Sequence, residues 1–256
     1  QGLLSTDIYL PVAVVRHHNK GLTLDCEVIE IGDLKDDIAW KANLENINVV
    51  IHTAARVHVM RDQATDPLSE YRRVNVDGTL NLARQAAAAG VDRFIFLSSI
   101  KVNGETTSIN TPFKPEDLPR PVDPYGISKY EAECGLFNLA NQSGMEVVCI
   151  RPTLVYGPNV KGNFAALLKM INRGIPLPLA NVTKNRRSLI ALGNLVDLLI
   201  RCIEHPKAGN QTFLVSDGED VSTADLILRI GQALNKPALL INVPLPILEL
   251  TSKVFG

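Results

Sequence analysis

Strand-like runs of largely continuous apolar residues recur through the first 160 positions: Val12–Val15, Val49–His52, Arg93–Leu97 and Glu146–Arg151. Strands of this kind bury both faces, which the one-sided alternation of a half-wet antiparallel sheet does not achieve. Helix-forming stretches separate them. One runs from near Pro67 to Ala89, with Gly90 as its stop. Another is entered after Pro124 and continues to about Gln142. Strand–helix alternation with doubly buried strands predicts an α/β chain, a parallel sheet with helices on both faces. Cys26–Ile31 reads as a further strand ending in Gly32-Asp33-Leu34, and Asp36–Leu44 as a helix around Trp40.

After Gly157-Pro158 the pattern loosens. Helices are expected over Phe164–Arg173 and Leu195–His205, and short strands over Ser188–Ala191 and Thr212–Val215. Ile175–Leu179 reads as an extended linker. Ser222 is a helix N-cap, with Asp225 three residues on, for a helix reaching Leu234. Irregular inserts between returning sheet elements predict a smaller lid over the strand ends.

The net charge of −1 carries no footprint for nucleic acid or an anionic membrane. No apolar run reaches the length of a spanning helix, and the apolar stretch near the C-terminus is broken by Pro244 and Pro246. Cys26, Cys134, Cys149 and Cys202 form no Cys-x-x-Cys pair and no metal spacing, so no metal is expected and a reducing, cytoplasmic location is.

Chemistry is expected at the carboxyl ends of the parallel strands. Those ends carry Asp33-Leu34, Thr53-Ala54-Ala55, Ser98-Ser99 and Arg151-Pro152. The small residues after His52 admit a flat ligand close to the backbone, and Asp33 is placed to accept from a base amino group. Tyr125 and Lys129 lie one helical turn apart on one face. A phenol beside an ammonium is an acid–base device, because positive charge favours phenolate.

These residues, with Asn75-Val-Asp-Gly-Thr79 and Arg151-Pro-Thr-Leu-Val-Tyr-Gly-Pro158, make the chain resemble the extended short-chain dehydrogenase/reductase family, in its nucleotide-sugar epimerase and dehydratase branch. The resemblance spans Val12 to Leu234. It implies a Rossmann-type dinucleotide-binding domain over residues 1–160 and a mainly substrate-binding region over 161–256, with 195–216 returning to the sheet. It also implies roles. Tyr125 is the catalytic acid/base, and Lys129 holds the nicotinamide ribose and depresses the Tyr125 pKa. Ser99 hydrogen-bonds the substrate hydroxyl. Asp33 and Leu34 contact adenine, while Thr53, Ala54, Ala55, Ser98 and Pro152 line the cofactor path. Asn75 braces the active-site backbone. Asn163, Phe164 and Arg187 hold the nucleotide diphosphate, a task suited to the bidentate guanidinium fork.

Family members open with a strand and a Gly-x-x-Gly-x-x-Gly turn that cradles the cofactor pyrophosphate. That motif is absent here, and Val12–Val15 matches the family's second strand, so about two dozen residues are expected ahead of Gln1 and further elements beyond Gly256. NAD is the implied cofactor, with Arg16 leaving NADP as the alternative. Ile100-Lys101 follows Ser99, where the resemblance puts Asp-Glu in dehydratases that retain C5 configuration and a Glu at the second position in decarboxylases; Lys101 matches a Lys of C5-inverting dehydratases, but Ile100 replaces their preceding Asp, and Leu154 replaces an Asn of the galactose epimerases. A UDP-sugar 4-epimerase is therefore expected, acting on UDP-glucose/galactose or UDP-N-acetylglucosamine/galactosamine. The alternatives are an NAD(P)-dependent reductase of a 4-keto nucleotide sugar, a 4,6-dehydratase, or a non-catalytic dinucleotide-binding regulator. Homodimerisation through Asn75–Ala89 and Tyr125–Gln142 is implied as well.

Overall fold

The apolar runs pair as parallel strands. A computed structural model describes residues 2–5, 8–17, 25–35, 37–57, 65–108 and 110–244. Its strands are β1 (Val12–Val15), β2 (Glu27–Glu30), β3 (Val49–His52), β4 (Arg93–Leu97), β5 (Glu146–Pro152), β6 (Leu154–Tyr156), β7 (Arg187–Ala191), β8 (Gln211–Val215) and β9 (Asp220–Val221). Its α-helices are α1 (Pro67–Arg72), α2 (Thr79–Ala88), α3 (Pro124–Ser143), α4 (Gly162–Asn172), α5 (Leu192–Glu204) and α6 (Thr223–Ala233). The chain divides into two units, residues 1–152 with 195–215 and residues 153–194 with 216–256.

In the first unit a parallel sheet runs in the order β3-β4-β5-β8, and β1 pairs in parallel with β2. Phe94, Ile95, Phe96 and Val147–Ile150 are completely buried, as strands covered on both faces must be. Phe94, Phe96, Val147 and Cys149 form one core with Leu82, Ala83 and Ala86 of α2 and Leu136 of α3. At the start of β4, Arg93 donates from Nη1 to the carbonyls of Cys202 (2.7 Å) and Ile203 (2.8 Å) at the end of α5. Its other arm pairs with Glu146 at 2.5 Å. A cation on the last carbonyls of a helix satisfies acceptors that the helix itself leaves open.

β1 and β3 each keep one edge unpaired among the described residues. Val12–Val15 and Val49–His52 line a common cavity of about 1620 Å³. Val14 is 44% exposed there, against zero for the central residues of β4 and β5.

The expected helix from Pro67 to Ala89 is interrupted. Between α1 and α2, Arg73–Gly78 winds as a π-helical turn. Asn75, inside it, accepts from the Arg56 N–H (2.7 Å) and donates to the Arg56 carbonyl (3.0 Å), so its side chain replaces a strand neighbour for the chain leaving β3. That pull on one side chain is a physical cause for the wider winding, a form often found at functional sites. The helix expected over Asp36–Leu44 is reduced to a 3₁₀ turn at Lys41–Leu44, with Asp36 outside the described residues. Trp40 is buried before it, and its N–H bonds to Gln85 Oε1 at 2.7 Å, a tertiary bond that ends local helical winding. His18–Lys20 of the expected polar loop also lie outside the described residues.

In the second unit β6 pairs in parallel with β7, and β7 is antiparallel to β9. α4 and α6 pack through Ile171, Ile227 and Ile230, with Leu177 of the extended stretch after α4 completing the cluster. Ser222 caps α6 by accepting from the Asp225 N–H at 3.0 Å. The Ile175–Leu179 stretch stays extended, its Leu177 exchanging backbone bonds of 2.8 Å with Leu239 and Ile241.

Beneath α3 lies a buried ion pair. Arg151 of β5 donates to Glu133 of α3 from Nε (2.9 Å) and Nη2 (2.5 Å), and from Nη1 to Asn103 Oδ1 (2.9 Å). Removing one partner of such a pair strands the other charge away from water. Glu133→Gln is expected to destabilise the protein by about 3–5 kcal/mol, read as a fall in the urea midpoint. A loss under 1 kcal/mol would mean that water reaches this site.

Candidate active site

α3 begins where its sequence dictates. Asp123, in an extended conformation, is the N-cap and accepts from the Gly126 N–H at 2.6 Å, and Pro124 occupies the first turn without losing a needed donor. Gly144, left-handed at φ 77°, ends the helix. Tyr125 is thereby fixed in the first turn, with Lys129 one turn on.

β4 delivers Ser98 and Ser99 to the same place. Ser99 accepts at Oγ from the Lys101 N–H (3.2 Å), capping the short turn Ile100–Val102. With its oxygen occupied there, the Ser99 hydroxyl hydrogen-bonds the Tyr125 phenol. The turn and the helix meet backbone to backbone at Gly126, where a Cβ would stand 2.9 Å from the Lys101 carbonyl oxygen. Ser128 joins the third strand end to this group. It accepts from Asn75 Nδ2 (2.9 Å) and donates to the Tyr125 carbonyl (2.8 Å).

Burial controls the charges. Lys129 is 1% exposed, and desolvation lowers its pKa to about 7 despite the nearby Glu133 carboxylate. Its ammonium lies 4.0 Å from the Phe96 ring centroid. Tyr125 differs from the expectation that Lys129 acidifies it. Burial raises its pKa, the Ser99 hydrogen bond lowers it, Asp123 raises it, and the lysine that lowers it is Lys101. Tyr71 meets Tyr125 edge-on at 6.3 Å, and Arg56 lies 5.3 Å over the Tyr71 ring. Tyr71, Arg56 and Ser128 were not singled out from sequence. Their only signal is spacing across separate elements, which folding alone brings together.

The remaining candidates fall into two groups. Asp33, Leu34, Thr53, Ala54 and Ala55 all line the 1620 Å³ cavity. Asp33 is paired with Arg16 at 2.5 Å, so the cation that offered a 2′-phosphate site is engaged by the carboxylate. The Leu34 side chain is 8% exposed and joins the core beside Gly78, which leaves its backbone to face a ligand. Pro152 ends β5, paired with Val215. In the second unit, Asn163 lies in the first turn of α4, Phe164 stacks on Tyr156 at 6.1 Å, and Arg187 donates from Nε to Thr223 Oγ1 at 3.1 Å. Arg186 is held by the carbonyls of Thr183 and Asn185.

Two polar groups point to a missing partner. Ser98 Oγ is buried without a hydrogen bond, and the Lys129 ammonium, with Glu133 nearby and the Phe96 ring 4.0 Å away, has donors available for a ligand. Buried polar groups are normally satisfied, so both fit the hydroxyl-rich ribose of a nicotinamide cofactor. The small residues Thr53, Ala54 and Ala55 fit the close approach of the same molecule.

Comparison with known proteins agrees with this geometry. Residues 8–216 match the family described as the NAD dependent epimerase/dehydratase family. The chain is 52% identical to a UDP-glucose 4-epimerase of Vibrio cholerae, over 97% of this chain and 75% of that one. It is 30% identical, over 90% and 70%, to an N-acetyl-α-D-glucosaminyl-diphospho-ditrans,octacis-undecaprenol 4-epimerase of Escherichia coli O157:H7. The solved structure of MoeE5 in complex with UDP-glucuronic acid and NAD superposes with a TM-score of 0.73 at 27% identity, over 91% of this chain and 77% of that one.

Lys129 also ties stability to pH. Unfolded, a lysine titrates near about 10.4; buried here it titrates near 7. Between those values the unfolded chain binds more protons, so ligand-free protein gains stability as pH rises above 7. Urea midpoints are expected to increase from pH 7 to 9, by roughly 2 kcal/mol in free energy, and to flatten in Lys129→Met. An equal rise in the variant would assign the effect to another group.

Proposed function

The chain belongs to the NAD-dependent epimerase/dehydratase family, and from that membership we propose that it interconverts UDP-glucose and UDP-galactose by inverting C4. The observation that carries this is the Ser99–Tyr125 hydrogen bond with Lys129 one turn away, beside a turn whose next residues, Ile100 and Lys101, hold no carboxylate. The 52% identity to a UDP-glucose 4-epimerase supports a UDP-hexose over a lipid-linked sugar.

Tyr125 Oη takes the proton of the C4 hydroxyl, and Ser99 Oγ hydrogen-bonds the same substrate oxygen, fixing it for transfer. Lys129 holds the ribose hydroxyls of the cofactor, with Ser98 the second donor at that end. Asp33, the Leu34 backbone, Thr53, Ala54, Ala55 and Pro152 line the rest of its path. Held there, NAD would supply the hydride acceptor for C4 and, once the keto sugar has turned its other face, the hydride donor that restores it, with no net change in the nicotinamide. Tyr125 then returns its proton. Asn163, Phe164 and Arg187 hold the diphosphate; a guanidinium and a helix N-terminus both suit that charge. Since burial keeps the phenol protonated at neutral pH in the free protein, ionising it limits the acid side of the pH profile.

The same proposal makes the enzyme a homodimer through α2 and α3, checked by light scattering. It also places it in the cytoplasm, consistent with its four free cysteines, Cys26, Cys134, Cys149 and Cys202.

Tyr125→Phe is expected to lower kcat for UDP-galactose by roughly 10²–10⁴-fold, followed by NMR of the sugar, while UDP binding persists. Turnover is expected with no net change in nicotinamide absorbance. A stoichiometric change would identify a reductase, and unaltered turnover in Tyr125→Phe would assign the proton transfer elsewhere.

A further inference from the structure

Lys101 contributes three separate groups to the junction between the Ser99 turn and α3. Its N–H donates to Ser99 Oγ at 3.2 Å. Its carbonyl oxygen lies against Gly126, closer than any side chain there allows. Its ammonium pairs with Asp123 Oδ2, and with Glu105 at 3.0 Å. Asp123 in turn divides its carboxylate: Oδ1 caps α3 at the Gly126 N–H, and Oδ2 takes Lys101. The side chains of this pair are only 26% and 21% exposed. The surface pair Arg201–Asp197 is 73% and 65% exposed and is worth little.

We propose that Lys101 is a positioning residue for the acid–base step at Tyr125, its ammonium clamped to the capping carboxylate so that the Ser99 turn is seated and a balanced charge pair stands at the start of the helix that carries the phenol. The proposal rests on Tyr125 as the acid/base group.

Several groups surround that phenol. Lys101 and Asp123 act on it with opposite sign, Tyr71 faces it from α1, and Ser99 hydrogen-bonds it from the end of β4. Glu105 acts through Lys101, Lys129 lies one turn along α3, and Arg56 lies over Tyr71. The pair therefore works as a lever with two arms. Removing the cation leaves Asp123 uncompensated, so the phenol ionises at higher pH. Removing the anionic charge leaves Lys101 uncompensated, so it ionises at lower pH. Asn at position 123 still caps a helix, so the second change spares the helix start.

The test titrates Tyr125 in the holoenzyme by ultraviolet difference absorbance of phenolate, against Tyr125→Phe as background, alongside kcat and KM for UDP-galactose across pH. Lys101→Met is expected to move the titration and the acid limb of kcat upward by about 1 pH unit. Its kcat falls about tenfold near neutrality with KM unchanged, and Lys101→Arg restores most of it. Asp123→Asn is expected to move both curves downward. Glu105→Gln, at the exposed partner, gives a smaller downward shift and serves if Lys101→Met does not fold. Shifts of the same sign in the Lys101 and Asp123 variants, or none in any variant, would overturn the proposal. Because the phenolate titration needs no substrate, opposed shifts in an enzyme that turns over no UDP-sugar would sink the substrate assignment and leave the lever standing.

Discussion

The placement of α3 depends on the Glu133–Arg151 pair buried beneath it. An Arg and a Glu with side chains only 6% and 3% exposed are costly to desolvate, and they are held because each of the three guanidinium nitrogens donates to a buried acceptor. Two guanidinium bonds go to Glu133 and a third to Asn103, whose amide in turn donates to the Lys114 carbonyl at 3.0 Å. One cation thus connects β5, α3 and the long loop after β4. That loop carries Lys101, and the helix carries Tyr125 and Lys129. Packing alone leaves an amphipathic helix free to slide by fractions of a turn. A bidentate pair does not, which matters for groups that must meet a reacting oxygen within hydrogen-bond reach.

Against this rigid support the site keeps some polar groups unsatisfied. Lys129 is buried, and desolvation lowers its pKa to about 7, with the Phe96 ring facing its ammonium as partial compensation. Ser98 Oγ has no partner. His52, also buried, accepts the opposite solution. Desolvation lowers its pKa to about 3, so it stays neutral, hydrogen-bonded to Thr79 at 2.9 Å and stacked on Phe96. Two basic residues in one core layer thus have different fates. His52 is held at Nε2 by Thr79 and is structural, whereas Lys129 and Ser98 retain donors that a hydroxyl-bearing ligand completes.

The parallel sheet, the two long helices and the Tyr–Lys turn were legible because each rests on local signals: apolar runs, an Asp-Pro start, a Gly stop. What escaped the sequence is long-range. The π-helical turn at Arg73–Gly78 follows from Asn75 reaching Arg56, 19 positions away, and the loss of a helix before Lys41 follows from Trp40 bonding to Gln85, 45 positions away. No periodicity encodes such bonds. Arg16 and Asp33 each read as ligand contacts in the sequence, yet they meet each other, since neighbouring strand ends of opposite charge pair when folded. Lys129 was expected to act on the phenol because of its spacing of four. Burial instead consumes much of its charge, and Lys101, two residues past Ser99, supplies the cation that acts there.

The same junction separates the family's reactions. Water elimination from a 4-keto sugar needs an acid to protonate the leaving hydroxyl and a base to take the neighbouring proton. Carboxylates do stand at this junction, Asp123 two residues before Tyr125 and Glu105 on Lys101, although neither follows Ser99 directly. Asp123 is committed as an acceptor on both oxygens, to the Gly126 N–H and to Lys101, while Glu105 is paired with the same ammonium. Using Asp123 as an acid requires undoing the cap that starts α3 and so displacing Tyr125 itself. The charge arrangement that seats the phenol therefore withholds the acid that dehydration needs. Tyr125, hydrogen-bonded to Ser99, is the proton-transfer group at this junction, and one such group suffices for oxidation and reduction at a single carbon, which is what a 4-epimerase requires.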